Sequence, residues 1–139
     1  MLQSSLCIAL GLISILVFVV ALTKSRRGQF YSDTPALFPL GIFVWGDALA
    51  LAPFWLVAAI IFWWLEPVMI ARLLCVFFAI RAAYEVVYWI NHQVAHRDYC
   101  PPMFRQVKWL GANEAAILYQ LMNMLQVIVA LGLMIMTYN

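Results

Sequence analysis

Charge is what this chain has least of. Asp, Glu, Lys and Arg make up 10% of its 139 residues and hydrophobic residues 67%, against about 25% charged and about 45–50% apolar in a soluble domain. That balance excludes a water-soluble core, a disordered tail and a nucleic-acid binder. The formal net charge of +2 is too small and too dispersed to draw an anionic polymer. Cysteine is scarce as well. Cys7, Cys75 and Cys100 form neither a CxxC pair nor an even framework, so all three are expected to be reduced and to serve packing alone. The sequence has no glycine-rich phosphate loop, no P-loop and no Ser/His/Asp arrangement. No basic residue precedes the first apolar run, so that run reads as a retained helix and not as a cleaved leader.

What the chain has in abundance is long apolar runs. A membrane span needs about 20 apolar residues to cross about 30 Å of hydrocarbon. Four stretches qualify: Leu6–Thr23, Ala48–Leu65 with Pro53 inside, about Val68–His96, and about Glu114–Tyr138. The expected fold class is therefore all-α: a polytopic membrane protein with one four-helix transmembrane domain over 1–139. Lys24, Arg26 and Arg27 follow the first span, and Arg97, Arg105 and Lys108 follow the third. Positive loops stay in the cytoplasm, which places both termini outside the cytoplasmic (inner) membrane. Trp63 and Trp64 suit an outer aromatic belt, and Trp89 and Trp109 an inner one.

Asp33 to Asp47 needs separate treatment. Asp33 or Thr34 followed by Pro35 reads as a helix start. A continuous helix from Pro35 to Leu65 would run about 46 Å, too long for one upright crossing. Gly46-Asp47 offers a break, with Asp47 capping the second span. The expectation is an additional short interfacial or re-entrant helix before that span. A single strongly tilted helix is the alternative.

Polar chemistry concentrates on the third span. Arg81, Glu85, Tyr88, His92 and His96 fall within about 80° of one another on a helix, flanked by Tyr84 and Asn91, while Arg72 points the opposite way. Arg81 and Glu85 lie near the membrane midplane. A charge there costs about 2.5–3.5 kcal/mol on insertion scales, so neither should face lipid. One reading is a buried pair that fixes packing; the other is an ion or proton pathway. Asn113, Gln120, Asn123 and Gln126 cover an arc of about 140° on the fourth span. Depth matching sets Gln120 near Tyr88–Asn91 and Gln126 near Arg81–Glu85, which predicts a polar ladder with amides satisfying the charged pair. Ala79 and Ala83 allow close helix approach.

His92 and His96 stand four apart and could share Zn²⁺ or Fe²⁺, with Glu85, Asp47, Asp98 or Glu114 as a third ligand. The spacing is common by chance and two ligands are too few for a site, so interfacial hydrogen bonding is the simpler account; pH sensing near the cytoplasmic mouth is a further reading.

Phe43-Val44-Trp45-Gly46-Asp47-Ala48, Pro53-Phe54-Trp55, and Arg81 with Glu85, Tyr88-Trp89, Asn91 and Gln93 together resemble a family of small four-helix bacterial integral membrane proteins. Tyr119-Gln120 is a weaker echo. The resemblance implies four membrane helices and a bacterial membrane location, and brings no activity with it. In that family a Gln tends to stand where His92 stands here, which counts against a required metal ligand.

Three functions remain in view. The leading one is a homo-oligomeric channel or transporter for a small ion or proton. Its pathway would be lined by Arg81, Glu85, Tyr88, Asn91, Gln120, Asn123 and Gln126, with Asp47, His92 and His96 at the inner mouth. The second is an assembly or interaction subunit whose polar stripe docks on another membrane protein. The third is a metal-dependent membrane-embedded enzyme built on Glu85, His92 and His96. The expected partners are the lipid bilayer, a second copy, and for the second reading another membrane protein; no nucleic acid is expected.

Overall fold

The computed structural model describes residues 2–95, 100–104, 107 and 109–138. Its regular structure is α1 (Leu2–Arg26), a 3-10 helix over Pro35–Leu40, α2 (Trp45–Phe62), α3 (Pro67–Val94), a single 3-10 turn over Pro102–Phe104, and α4 (Ala112–Met136). Each of α1 to α4 is long and apolar enough to cross a bilayer. Extended pairing among the described residues amounts to an isolated bridge between Asp33 and Val44. The all-α, four-span class read from the sequence holds. The chain divides into two compact units, Met1–Ile70 and Ala71–Asn139.

In the first unit, α1 buries Cys7, Ser14, Val17 and Ala21, and α2 buries Ala48, Ala52, Trp55, Ala58, Ala59 and Phe62. The α1 set advances by steps of seven, three and four, and the α2 set by threes and fours with Ala58 widening it, so each forms one stripe. Small residues dominate the two stripes, which lets the helices approach closely where lipid offers no hydrophobic drive. The Ala79–Ala83 pair expected to do this job does not: Ala83 is exposed and Ala79 only half-buried. At the far end Gln3 Nε2 donates to the carbonyls of Phe62 and Leu65, both at 2.8 Å. These are groups that the end of a helix otherwise leaves unpaired.

The segment between α1 and α2 is the short helix anticipated. Thr34 precedes it, Pro35 takes the first helical position, and Gly41 ends it in the left-handed region (φ 72°), where a side chain would be strained. It does not lead into α2 but lies beside it. The Trp55 indole donates to Leu40 O at 2.8 Å, and Trp55 lies about 15 Å beyond the start of α2. Ile42 is fully buried against Val17, Ala21, Ala48 and Ala52. Thr34 closes the loop twice, its N–H donating to Phe43 O at 2.9 Å and its hydroxyl to Ile42 O at 3.0 Å. Non-helical backbone inside an apolar environment persists only when its polar groups are paired in this way.

The helix break falls slightly earlier than Gly46-Asp47. Val44 is the N-cap and Asp47 the third helical residue. Its carboxylate reaches back to accept the N–H groups of Phe43 (3.1 Å) and Val44 (3.4 Å). Asp47 therefore caps α2 from inside the first turn, where a negative charge also opposes the positive helix end. Gly46 leaves room for the Phe30 ring: a Cβ would stand 2.4 Å from it.

In the second unit, α3 buries Ala82, Glu85 and Trp89, and α4 buries Ala115, Ala116, Tyr119, Asn123 and Ala130. Gly111 is the N-cap of α4, and Glu114 accepts its N–H at 3.1 Å. Trp89, Ala116 and Tyr119 pack with Phe104 into a small core.

Candidate functional site

The site is built on the buried face of α3. Arg81 and Glu85 stand one turn apart and form an ion pair, with side-chain exposures of 12% and 11%. The second carboxylate oxygen accepts two further bonds, from Trp89 Nε1 at 3.2 Å and from the Tyr119 hydroxyl at 3.4 Å. Trp89 is reached because it is four residues on, the same stripe one turn later. Tyr119 is reached across the helix interface from α4. The carboxylate is thus held by one cation and two neutral donors, a set suited to an ionised group in a medium of low dielectric.

Around it the aromatics are edge-on. Trp89 meets Tyr119 with ring centroids 5.8 Å apart, and Phe104 meets Tyr119 at 6.4 Å. Asn123 is buried and donates to Tyr119 O at 2.8 Å, its amide committed to its own helix. Beside this stripe on α3, Tyr84, Tyr88 and His92 form a stacked column, at 6.5 Å and 5.8 Å between successive rings. The Arg81 guanidinium lies over Tyr84 at 5.6 Å.

Two further contacts hold α3 to α4. Gln120 Nε2 donates to Gln93 Oε1 at 2.8 Å, and Gln93 Nε2 to Asn113 O at 3.4 Å. At the opposite end the Arg72 guanidinium donates to Thr137 O and lies over the Tyr138 ring, 4.2 Å from its centroid. From Arg72 to Gln93 α3 rises about 31 Å. The two helices are therefore clamped at both ends and near the middle of a bilayer-sized length.

No family model, curated protein or solved structure matches this chain. Geometry alone carries the interpretation.

The structure brings together Arg81, Glu85 and Asn123 from the expected pathway, and places Gln120 on the same interface beside Gln93. It leaves others apart. Asn91 and Gln126 are exposed, and Tyr88 is 44% exposed in the ring column. The ladder of amides satisfying the charged pair does not form; a phenol and an indole take that place, because each carries its donor at the end of a rigid ring that spans the interface. Asp47, expected at an inner mouth, is occupied in capping α2. His92 is half-buried between Tyr88 and Trp89. Among the described residues no three His, Cys, Asp or Glu side chains converge as a metal would need. His96, Asp98, Arg97, Arg105 and Lys108 lie outside the described residues.

Trp89, Gln93 and Tyr119 are site residues that the polar-stripe reading passed over. Trp89 is 2% exposed, the reverse of a belt residue. Its spacing of four from Glu85 was a usable signal, as was Tyr119 standing four before Asn123.

Proposed function

We propose that this chain is an assembly subunit of a bacterial inner-membrane complex, with both termini outside and α3–α4 as its rigid interaction hairpin. One observation supports this over a transport role: Glu85 receives Arg81, Trp89 and Tyr119 from within the α3–α4 pair. A proton or ion carrier needs a charge that can exchange partners. Here the deep charge is closed on its own helix and tied to the next one, so its work is to set how α3 and α4 pack. The exposed polar side chains of α3 and α4, at Tyr84, Tyr88, Asn91 and Gln126, are those a partner would meet.

A homo-oligomeric channel or transporter for a small ion or proton is the second reading. It is favoured by the depth of Arg81 and Glu85 and by the residual exposure of both side chains, since ionisable groups at that depth mark pathways in many membrane proteins. The two readings separate on extraction into mild detergent, mass measurement, and ion flux after reconstitution into liposomes. The assembly reading expects a discrete particle heavier than the chain's 15.9 kDa, with flux equal to that of empty vesicles. Selective flux that Glu85→Gln abolishes would establish the channel instead. A lone chain without flux in detergent and in native membranes would overturn both.

A further inference from the structure

We propose that the partner is a second copy of this chain, and that the two copies meet along α4 with Gln126 paired to Gln126. This rests on the assembly reading and names its partner. Asn123 and Gln126 are one turn apart yet differ. Asn123 is 5% exposed and bonded within its own helix, while Gln126 is exposed near the middle of the 25-residue helix. A carboxamide at that depth carries two donors and an acceptor that hydrocarbon cannot satisfy.

Its neighbours along the helix have a pattern. Met122, Val129, Leu133 and Met136 share its stripe, at steps of four, three, four and three, and all are exposed (41%, 51%, 50% and 74%). An apolar seam of heptad spacing with one polar position is the arrangement in which an amide sets register and copy number. A lipid-facing stripe would need the apolar residues but not the amide.

The occupant follows from the chemistry of the amide. A carboxamide is its own complement: the N–H of each donates to the C=O of the other, closing two bonds. Two copies inserted in the same direction about a two-fold axis along the membrane normal set each residue opposite its twin. Gln126 then meets Gln126 at equal depth, with the C=O and one N–H of each amide satisfied by the other. A seam of this kind does not interfere with the Glu85 site, which is satisfied through Tyr119 on an earlier turn.

The test uses the full chain, labelled for energy transfer and diluted with lipid in liposomes. The wild-type chain is expected to dimerise. Two interhelical bonds of about 0.6 kcal/mol each convert to roughly a sevenfold change in the association constant, so Gln126→Leu should weaken dimerisation about sevenfold or more. In a cysteine-free background, Met122→Cys and Val129→Cys should cross-link in native membranes under copper phenanthroline. Leu121→Cys and Ile128→Cys, on the opposite side of the helix, should not. A dimer that Gln126→Leu leaves unchanged, or that cross-links through 121 or 128, overturns this seam while the assembly reading stands. A purified chain that stays monomeric but leaves native membranes in a defined complex with another protein also overturns it and spares that reading. A chain that is monomeric everywhere removes both.

Discussion

Replacing both members of the Arg81–Glu85 pair should harm the protein less than replacing either one. Glu85→Leu takes the Glu85 carboxylate away from the Arg81 guanidinium, and Arg81→Met takes the guanidinium away from that carboxylate. Breaking a buried pair from one side costs about 3–5 kcal/mol, and with exposures of 12% and 11% neither group can recover much by turning to water. In the double variant no charge remains. What is lost is the carboxylate acceptor for Trp89 and Tyr119, two contacts at about 0.6 kcal/mol each on the membrane scale. The singles together therefore predict roughly 6–10 kcal/mol, against about 1 kcal/mol for the double variant, a coupling of about 5 kcal/mol or more. Equilibrium unfolding in mixed micelles, driven by SDS and followed by tryptophan fluorescence, measures all four corners of the cycle. Costs that simply add would refute the view that the pair is a closed structural unit, and would reopen the pathway reading.

Two further predictions concern the first unit. Trp55→Phe removes the indole bond to Leu40 O and should speed amide hydrogen exchange at Gly41 and Ile42 while leaving α3 and α4 protected; unchanged exchange would mean that burial of Ile42 alone holds the segment. Gly46→Ala forces the Phe30 ring aside and should lower thermal stability by about 1 kcal/mol, the small end of overpacking because Phe30 is partly exposed. Phe30→Ala introduced with it should recover most of that loss, and no recovery would place the strain elsewhere.

Much of the architecture was legible in the linear chain. Hydropathy runs located all four spans to within a few residues, since burying backbone in lipid leaves helices as the only economical form. Thr34-Pro35 and the length limit on a single crossing marked the short helix before α2. Its position was not legible: nothing local says that Leu40 will find the Trp55 indole, a contact between residues on either side of a helix start. Depth matching gave the register of α3 against α4 closely enough to pair Gln120 with the end of α3. It could not tell which side chains on α4 reach the pair: Tyr119 and Gln126 stand seven residues apart and only about 20° from each other around the helix, yet the long Tyr119 ring carries its hydroxyl to Glu85 while Gln126 stays exposed.

Composition and periodicity by themselves determined that this is a four-span helical membrane protein with one charged pair too deep to face lipid. Both conclusions follow from solvation, which acts on each residue wherever its neighbours lie. Which donors quench that pair, and which amide is left looking outward, was decided only in three dimensions. Hydrogen bonds are short and directional, so they depend on helix rotation and side-chain reach, quantities that emerge only when α3 and α4 pack.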